Sequence, residues 1–152
     1  MSNTEAVVMP RHQPTEYTLG TVTLPGTHRA VAVGRHWAEA LLEAGGRKGN
    51  DDALLVLDEL AANAVTHTRS GTTGGRFVVA LVEAEEGGVR IEVTDEGADT
   101  VPAPRHDDMD ALSGRGLQIV AALAADWGVR AAGKGRLVWA LLRPDTADPA
   151  VA

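Results

Sequence analysis

Three short stretches of this chain hold side chains able to bind or move charge. In DELAANAVTH (58–67), Glu59 and Asn63 stand one helical turn apart, a carboxylate and an amide on the same line. At ~100° per residue, Leu54, Leu57, Leu60, Ala61, Ala64 and Val65 gather on one arc, and Asp52, Glu59, Asn63 and Thr66 on the other. Such a polar arc is either a solvated edge or a site. Asparagine is a weak interior helix former that competes with its own backbone, so Asn63 among alanines suggests an amide oxygen aimed at a ligand, although the helix alone reads first as a solvated edge. Magnesium suits oxygen donors of this kind, keeping several waters and taking further ligands from phosphates. In VRIEVTDEG (89–97), Asp95 ends an apolar strand and Gly97 follows, a pattern that strand-end turns share. In SGRGLQIV (113–120), Gly114 and Gly116 let the backbone approach a ligand, and Arg115 is a permanent planar cation suited to phosphate. A glycine-rich entry to a packing helix reads the same way.

The elements that must position these residues follow from periodicity and punctuation. TEYTLGTVTLP (15–25) alternates and reads as a strand ended by Pro25-Gly26. Thr27 is placed to cap a helix over 28–44, with Ala30, Val33, Trp37, Ala40 and Leu41 on its buried face and Gly45-Gly46 as its stop. A second helix runs over 50–67, capped by Asn50 or an aspartate. RSGTTGG is a loop. The segments 76–85 and 89–97 form a hairpin around Glu86-Gly87-Gly88. The stretch 98–113 has two prolines, an acid cluster and no period, and a loop of that length is functional or disordered. A short apolar helix over 116–127 and two closing strands, WGVRAA and RLVWALL around Gly133-Lys134-Gly135, complete the order. Parallel βαβ alternation does not fit. The expectation is a two-layer α/β sandwich: a mixed, mostly antiparallel sheet with three helices on one face. One domain over 16–143 is flanked by a flexible arm (1–15) and a tail (144–152).

The totals exclude several function classes. At 152 residues, 44% apolar and 23% charged, the chain can bury one sizeable core. A net charge of −7 argues against direct nucleic-acid binding, which needs a basic surface. With no cysteine there is no disulfide or thiolate metal site. No stretch approaches the ~20 apolar residues of a membrane span, so a cytoplasmic protein without a membrane partner is the default. There is no G-x-x-x-x-G-K-[ST] and no G-x-S-x-G, and GRGLQI lacks the third glycine of a dinucleotide fingerprint. The five histidines have no metal-ligand spacing.

Taken in order, ELAANAVTH, a strand ending in DEG, a proline-containing loop and GRGL opening a helix resemble the N, G1 and G2 boxes of the Bergerat-fold ATPases. That superfamily includes DNA gyrase, the large heat-shock chaperone, histidine kinases and mismatch-repair ATPases. The short length, the GRGLQIV form and the closing GRLVWALL are most similar to the small bacterial anti-sigma-factor serine kinases. The resemblance covers roughly residues 20–142.

The resemblance implies ATP and Mg²⁺ as cofactors and assigns roles. Glu59 matches the acidic residue beside the phosphates, the general base. Asn63 matches the asparagine that holds Mg²⁺, and Asp95 the aspartate that accepts from the adenine amino group, with Gly97 giving the base room. Gly114, Arg115, Gly116 and Leu117 match the phosphate-side lid motif, and 98–113 the ATP lid. A carboxylate accepts from an exocyclic amine, which adenine has at that edge and guanine does not, so Asp95 would select ATP over GTP. One departure is that Leu137 in GRLVWALL stands where the family usually has a threonine near the base, which removes one adenine-side hydrogen bond. The implied function is an anti-sigma-type serine/threonine kinase. Its partners would be a small anti-anti-sigma (antagonist) protein and a sigma factor, and a homodimer is compatible with the resemblance. Two alternatives are a nucleotide-binding interaction module with little or no phosphotransfer, and a structural domain with a decayed pocket.

Overall fold

Strand alternation decides which face of the sheet is buried. In the computed structural model, which describes residues 16–98 and 116–144, Phe77, Val79 and Leu81 of one strand and Val89, Ile91 and Val93 of its partner point to the same buried face. The arm 1–15, residues 99–113 of the long loop, Gly114, Arg115 and the tail from 145 lie outside the described residues. The elements in order are β1 (Tyr17–Pro25), α1 (His28–Ala44), α2 (Asp51–His67), β2 (Arg76–Glu83), β3 (Val89–Thr94), α3 (Gly116–Leu123), β4 (Asp126–Ala132) and β5 (Gly135–Leu142). The fold is α/β, with five strands in the order β1-β2-β3-β5-β4 and three helices packed over one face. The expectation allowed for a mixed sheet, but every pairing among the described strands is antiparallel. β5 returns between β3 and β4, so Asp95 at the end of β3 lies beside the start of β5.

Local signals explain most boundaries. Thr27 caps α1, its hydroxyl accepting from the Ala30 N–H at 3.2 Å. Asn50 occupies the cap position of α2, but its side chain donates to the Arg47 carbonyl (3.1 Å) and makes no capping bond. Two expectations need correction. The buried line of α1 is Ala30, Gly34, Ala38 and Leu42, whereas Val33 is 52% exposed and Ala40 is exposed. Small residues at 34 and 38 let the helix approach closely, and a Cβ on Gly34 would stand 2.9 Å from Leu24. The larger Val33 has no such place, while Trp37 and Leu41 flank the line and pack on the core's edge.

The second correction concerns the helix expected over 116–127, which ends at Leu123. No residue in AALAADW breaks a helix, so propensity alone runs on. Instead the Ala125 N–H donates to the Leu141 carbonyl at 2.8 Å, and from Asp126 the chain belongs to the sheet. Pairing with β5 overrides the alanine preference.

α2 is the organising element. It packs against α1 on one side and α3 on the other, with β3 beneath it. Val56, Leu57, Leu60, Ala61 and Ala64 are buried, while Glu59 and Asn63 are half-buried on the margin of that face.

Candidate functional site

The end of α2 is tied directly to the turn that follows β3. The Thr68 hydroxyl donates to the Ala64 carbonyl (2.6 Å) and accepts from the Ser70 N–H (3.0 Å), closing the helix. Ser70 is fully buried, and its hydroxyl accepts from the Glu96 N–H at 3.0 Å. One residue earlier, the Arg69 N–H donates to the Gly97 carbonyl at 2.7 Å. What reads as a plain loop in the sequence is therefore the joint that sets the Asp-Glu-Gly turn against α2. The signal for it was Thr68-x-Ser70 directly after the helix, a side-chain turn motif.

That turn is also pinned from the other side. Gly97 has φ +82°, a left-handed backbone that favours glycine. Gly135 at the start of β5 lies so close to β3 that a methyl group there would overlap the Asp95 carbonyl oxygen. Backbone bonds join the same pair of segments, the Asp95 N–H donating to the Arg136 carbonyl at 2.9 Å.

Asp95 is 7% exposed. Its Oδ1 accepts two backbone hydrogen bonds, from Gly97 (2.7 Å) and Arg136 (3.3 Å). Oδ2 accepts none among the described residues, and the Arg136 Nε stands 3.7 Å away. Burial pushes the Asp95 carboxyl up, against the Gly97 N–H and the Arg136 guanidinium, which pull it down. A group whose folded value is raised binds its proton more tightly in the folded state. The stability it lends is present at acid pH and lost as pH rises through that value. Asp95→Asn, which keeps an acceptor for both N–H groups, is accordingly expected to gain on the wild type as pH rises above the ordinary carboxylate range. Melting temperatures of both proteins from pH 4 to pH 7 check this, and a variant whose melting temperature falls relative to the wild type toward neutrality would contradict it.

Asp95 lines a small internal cavity of about 20 Å³, room for one water-sized molecule. Asn63 and Thr68 of α2, Leu117 of α3 and Arg136 of β5 share its wall, and the remainder is leucine, valine and alanine. The structure thus brings Asn63, Asp95 and Leu117 together. Gly116 is buried beside Leu117 in the first turn of α3, and Gly97 supports the Asp95 carboxylate. Glu59 lies outside the cavity wall, one turn back along α2. Gly114 and Arg115 lie outside the described residues.

Leu137 is a correction. Thr94 pairs with Leu137 and Val93 with Val138, so Leu137 points to the sheet face away from the helices. Val138 and Arg136 face the cavity instead. The strand position beside Asp95 is therefore 136, a one-residue shift that reverses every side chain.

No cluster of three or more histidine, aspartate or glutamate side chains able to hold a metal occurs among the described residues. No helix among them is long and apolar enough to cross a membrane.

Comparison with known proteins fits this geometry. The family of histidine kinase-like ATPase domains matches residues 24–142. Among curated proteins, none matches the chain. A solved structure of the RsbU and RsbW domains of Rv1364c from Mycobacterium tuberculosis superposes with a TM-score of 0.61 at 23% identity, over 82% of this chain and 32% of that one. This chain thus spans about a third of that protein. A chain of the SiaB-SiaC complex from Pseudomonas aeruginosa gives the same TM-score, 0.61, at 14% identity, over 82% of this chain and 89% of that one.

Proposed function

Because the chain belongs to the histidine kinase-like ATPase domain family, we propose that it binds Mg-ATP and acts as an anti-sigma-type serine/threonine kinase on a small antagonist protein. The observation that carries this reading is the Asp95 carboxylate, a buried residue whose Oδ2 accepts no hydrogen bond among the described residues and which lines a cavity shared with Asn63. Such an oxygen suits a ligand that donates there, as the adenine amino group does. The likeness to a chain of the SiaB-SiaC complex, solved with two proteins together, supports a protein partner. Adenine entry requires this cavity to widen beyond its present water-sized volume.

The donor set fits magnesium rather than a closed protein cage. One amide, Asn63, with the Glu59 carboxylate a turn away, suits a cation that takes most of its ligands from phosphate and water. Asn63 would hold the ion, and when bound it supplies charge neutralisation at the phosphates. The protein's own part is to hold the base through Asp95 and to take a proton at Glu59. In the transfer step the acceptor hydroxyl oxygen bonds to the terminal phosphorus as the bond to the bridging oxygen breaks. ADP departs with that electron pair, and the hydroxyl proton passes to the Glu59 carboxylate.

Calorimetric titration with ATP and GTP tests the binding half. The wild type is expected to prefer ATP by about a hundredfold or more, because guanine sets a carbonyl oxygen against the carboxylate. Asp95→Asn should lose roughly ten- to a hundredfold in ATP affinity, and Asn63→Ala should lose most of the dependence on magnesium. A wild-type protein that binds neither nucleotide at millimolar concentration would rule the reading out.

A further inference from the structure

We propose that Arg136 is a second reader of the base, its guanidinium donating to the ring nitrogen N1 of adenine while Asp95 accepts from the neighbouring amino group. The inference rests on the ATP reading above and concerns the residue one position before Leu137, on the cavity side of β5.

Three observations carry it. Arg136 and Asp95 are the two charged side chains on the wall of one cavity. The Arg136 Nε is buried and has no hydrogen-bond partner, although an N–H in that position costs free energy when left unpaired. Asp95 Oδ2 stands 3.7 Å from it, too far for a hydrogen bond, and Oδ2 itself accepts none among the described residues. A buried, unpartnered donor thus lies beside a carboxylate oxygen without bonding to it. Backbone groups fix the carboxylate end, because its Oδ1 is held by the N–H groups of Gly97 and of Arg136 itself.

A ligand edge that presents a donor next to an acceptor would satisfy the pair. Adenine does so with its amino group beside N1, whereas guanine presents a carbonyl beside N1–H and mismatches both. Cytosine carries the same pair of groups as adenine. The two-point reading therefore separates adenine and cytosine from bases that present a carbonyl beside a ring N–H, as guanine and uracil do, and the apolar walls are left to judge ring size. Arginine cannot neutralise itself by losing a proton, so its donor character holds at every working pH.

The probe is 1-deaza-ATP, in which N1 is replaced by C–H and the amino group is kept. Wild-type protein is expected to bind it roughly tenfold or more weakly than ATP, the scale of one hydrogen bond from a charged donor. Arg136→Met should lower ATP affinity by a similar factor and leave 1-deaza-ATP almost unchanged, so that the variant no longer distinguishes the two. Equal wild-type affinity for both nucleotides would overturn the assignment while leaving the ATP reading intact. So would a folded Arg136→Met that keeps the preference. If the variant does not fold, the wild-type comparison decides alone. Absence of any ATP binding by the wild type would remove both readings.

Discussion

Replacing Glu59 by glutamine is expected to slow phosphate transfer to an antagonist domain by about a hundredfold or more, with ATP affinity nearly unchanged. Glu59 sits on α2 one turn from Asn63, half-buried and outside the cavity wall that holds Asn63 and Asp95. A residue placed this way can meet an incoming hydroxyl without touching the base. Glutamine keeps the shape and loses the basic oxygen, so the effect should fall on turnover and spare binding. Single-turnover transfer of labelled phosphate, together with titration of the same variant, separates the two quantities. Transfer at the wild-type rate would remove Glu59 as the base. If the wild type binds ATP yet labels no candidate domain, the alternative of a nucleotide-binding interaction module is favoured.

The second large effect concerns stability. Gly135→Ala is expected to cost about 3 kcal/mol or more, because the added methyl would overlap the Asp95 carbonyl oxygen. Neither side can yield cheaply. Both belong to backbone, and the two segments are bonded there through Asp95 N–H and the Arg136 carbonyl. Relief requires the start of β5 to swing away from β3, which also removes one of the two N–H groups holding Asp95 Oδ1. Denaturant midpoints measure the loss, and nucleotide binding by the surviving folded fraction should weaken with it. A variant that unfolds at the wild-type midpoint would show that the strands are free to separate at that point.

The helices, the hairpin and the order of the three boxes were legible because each rests on local chemistry: caps, glycine stops and alternation. Asn63 stood out because an asparagine inside an alanine-rich helix needs a reason. What stayed hidden depended on contacts between distant segments. The phase of α1 was misread because Val33 looks like a core residue, whereas Gly34 and Ala38 make the close contact by being small. The end of α3 is decided by a strand that follows it, through Ala125 and Leu141. Arg136 was missed for a similar reason. GRLVWALL offers two phases, and only its register against β3 fixes which side chains face the helices. Leu137 reads as a lost hydroxyl in one phase and as an outward-facing sheet residue in the other.

The joint formed by Thr68, Arg69 and Ser70 bears on how this domain can drift over generations. Its bonds to Ala64, Glu96 and Gly97 are counted from the last turn of α2, so one inserted or deleted residue there would carry Ser70 off the Glu96 N–H. A turn such as Glu85–Gly87, exposed and away from the site, can vary in length with less consequence. The stretch between α2 and β2 is thus expected to keep its length while its exposed side chain at Thr73 changes freely. In that respect it behaves as a ruler, although its composition is that of a linker.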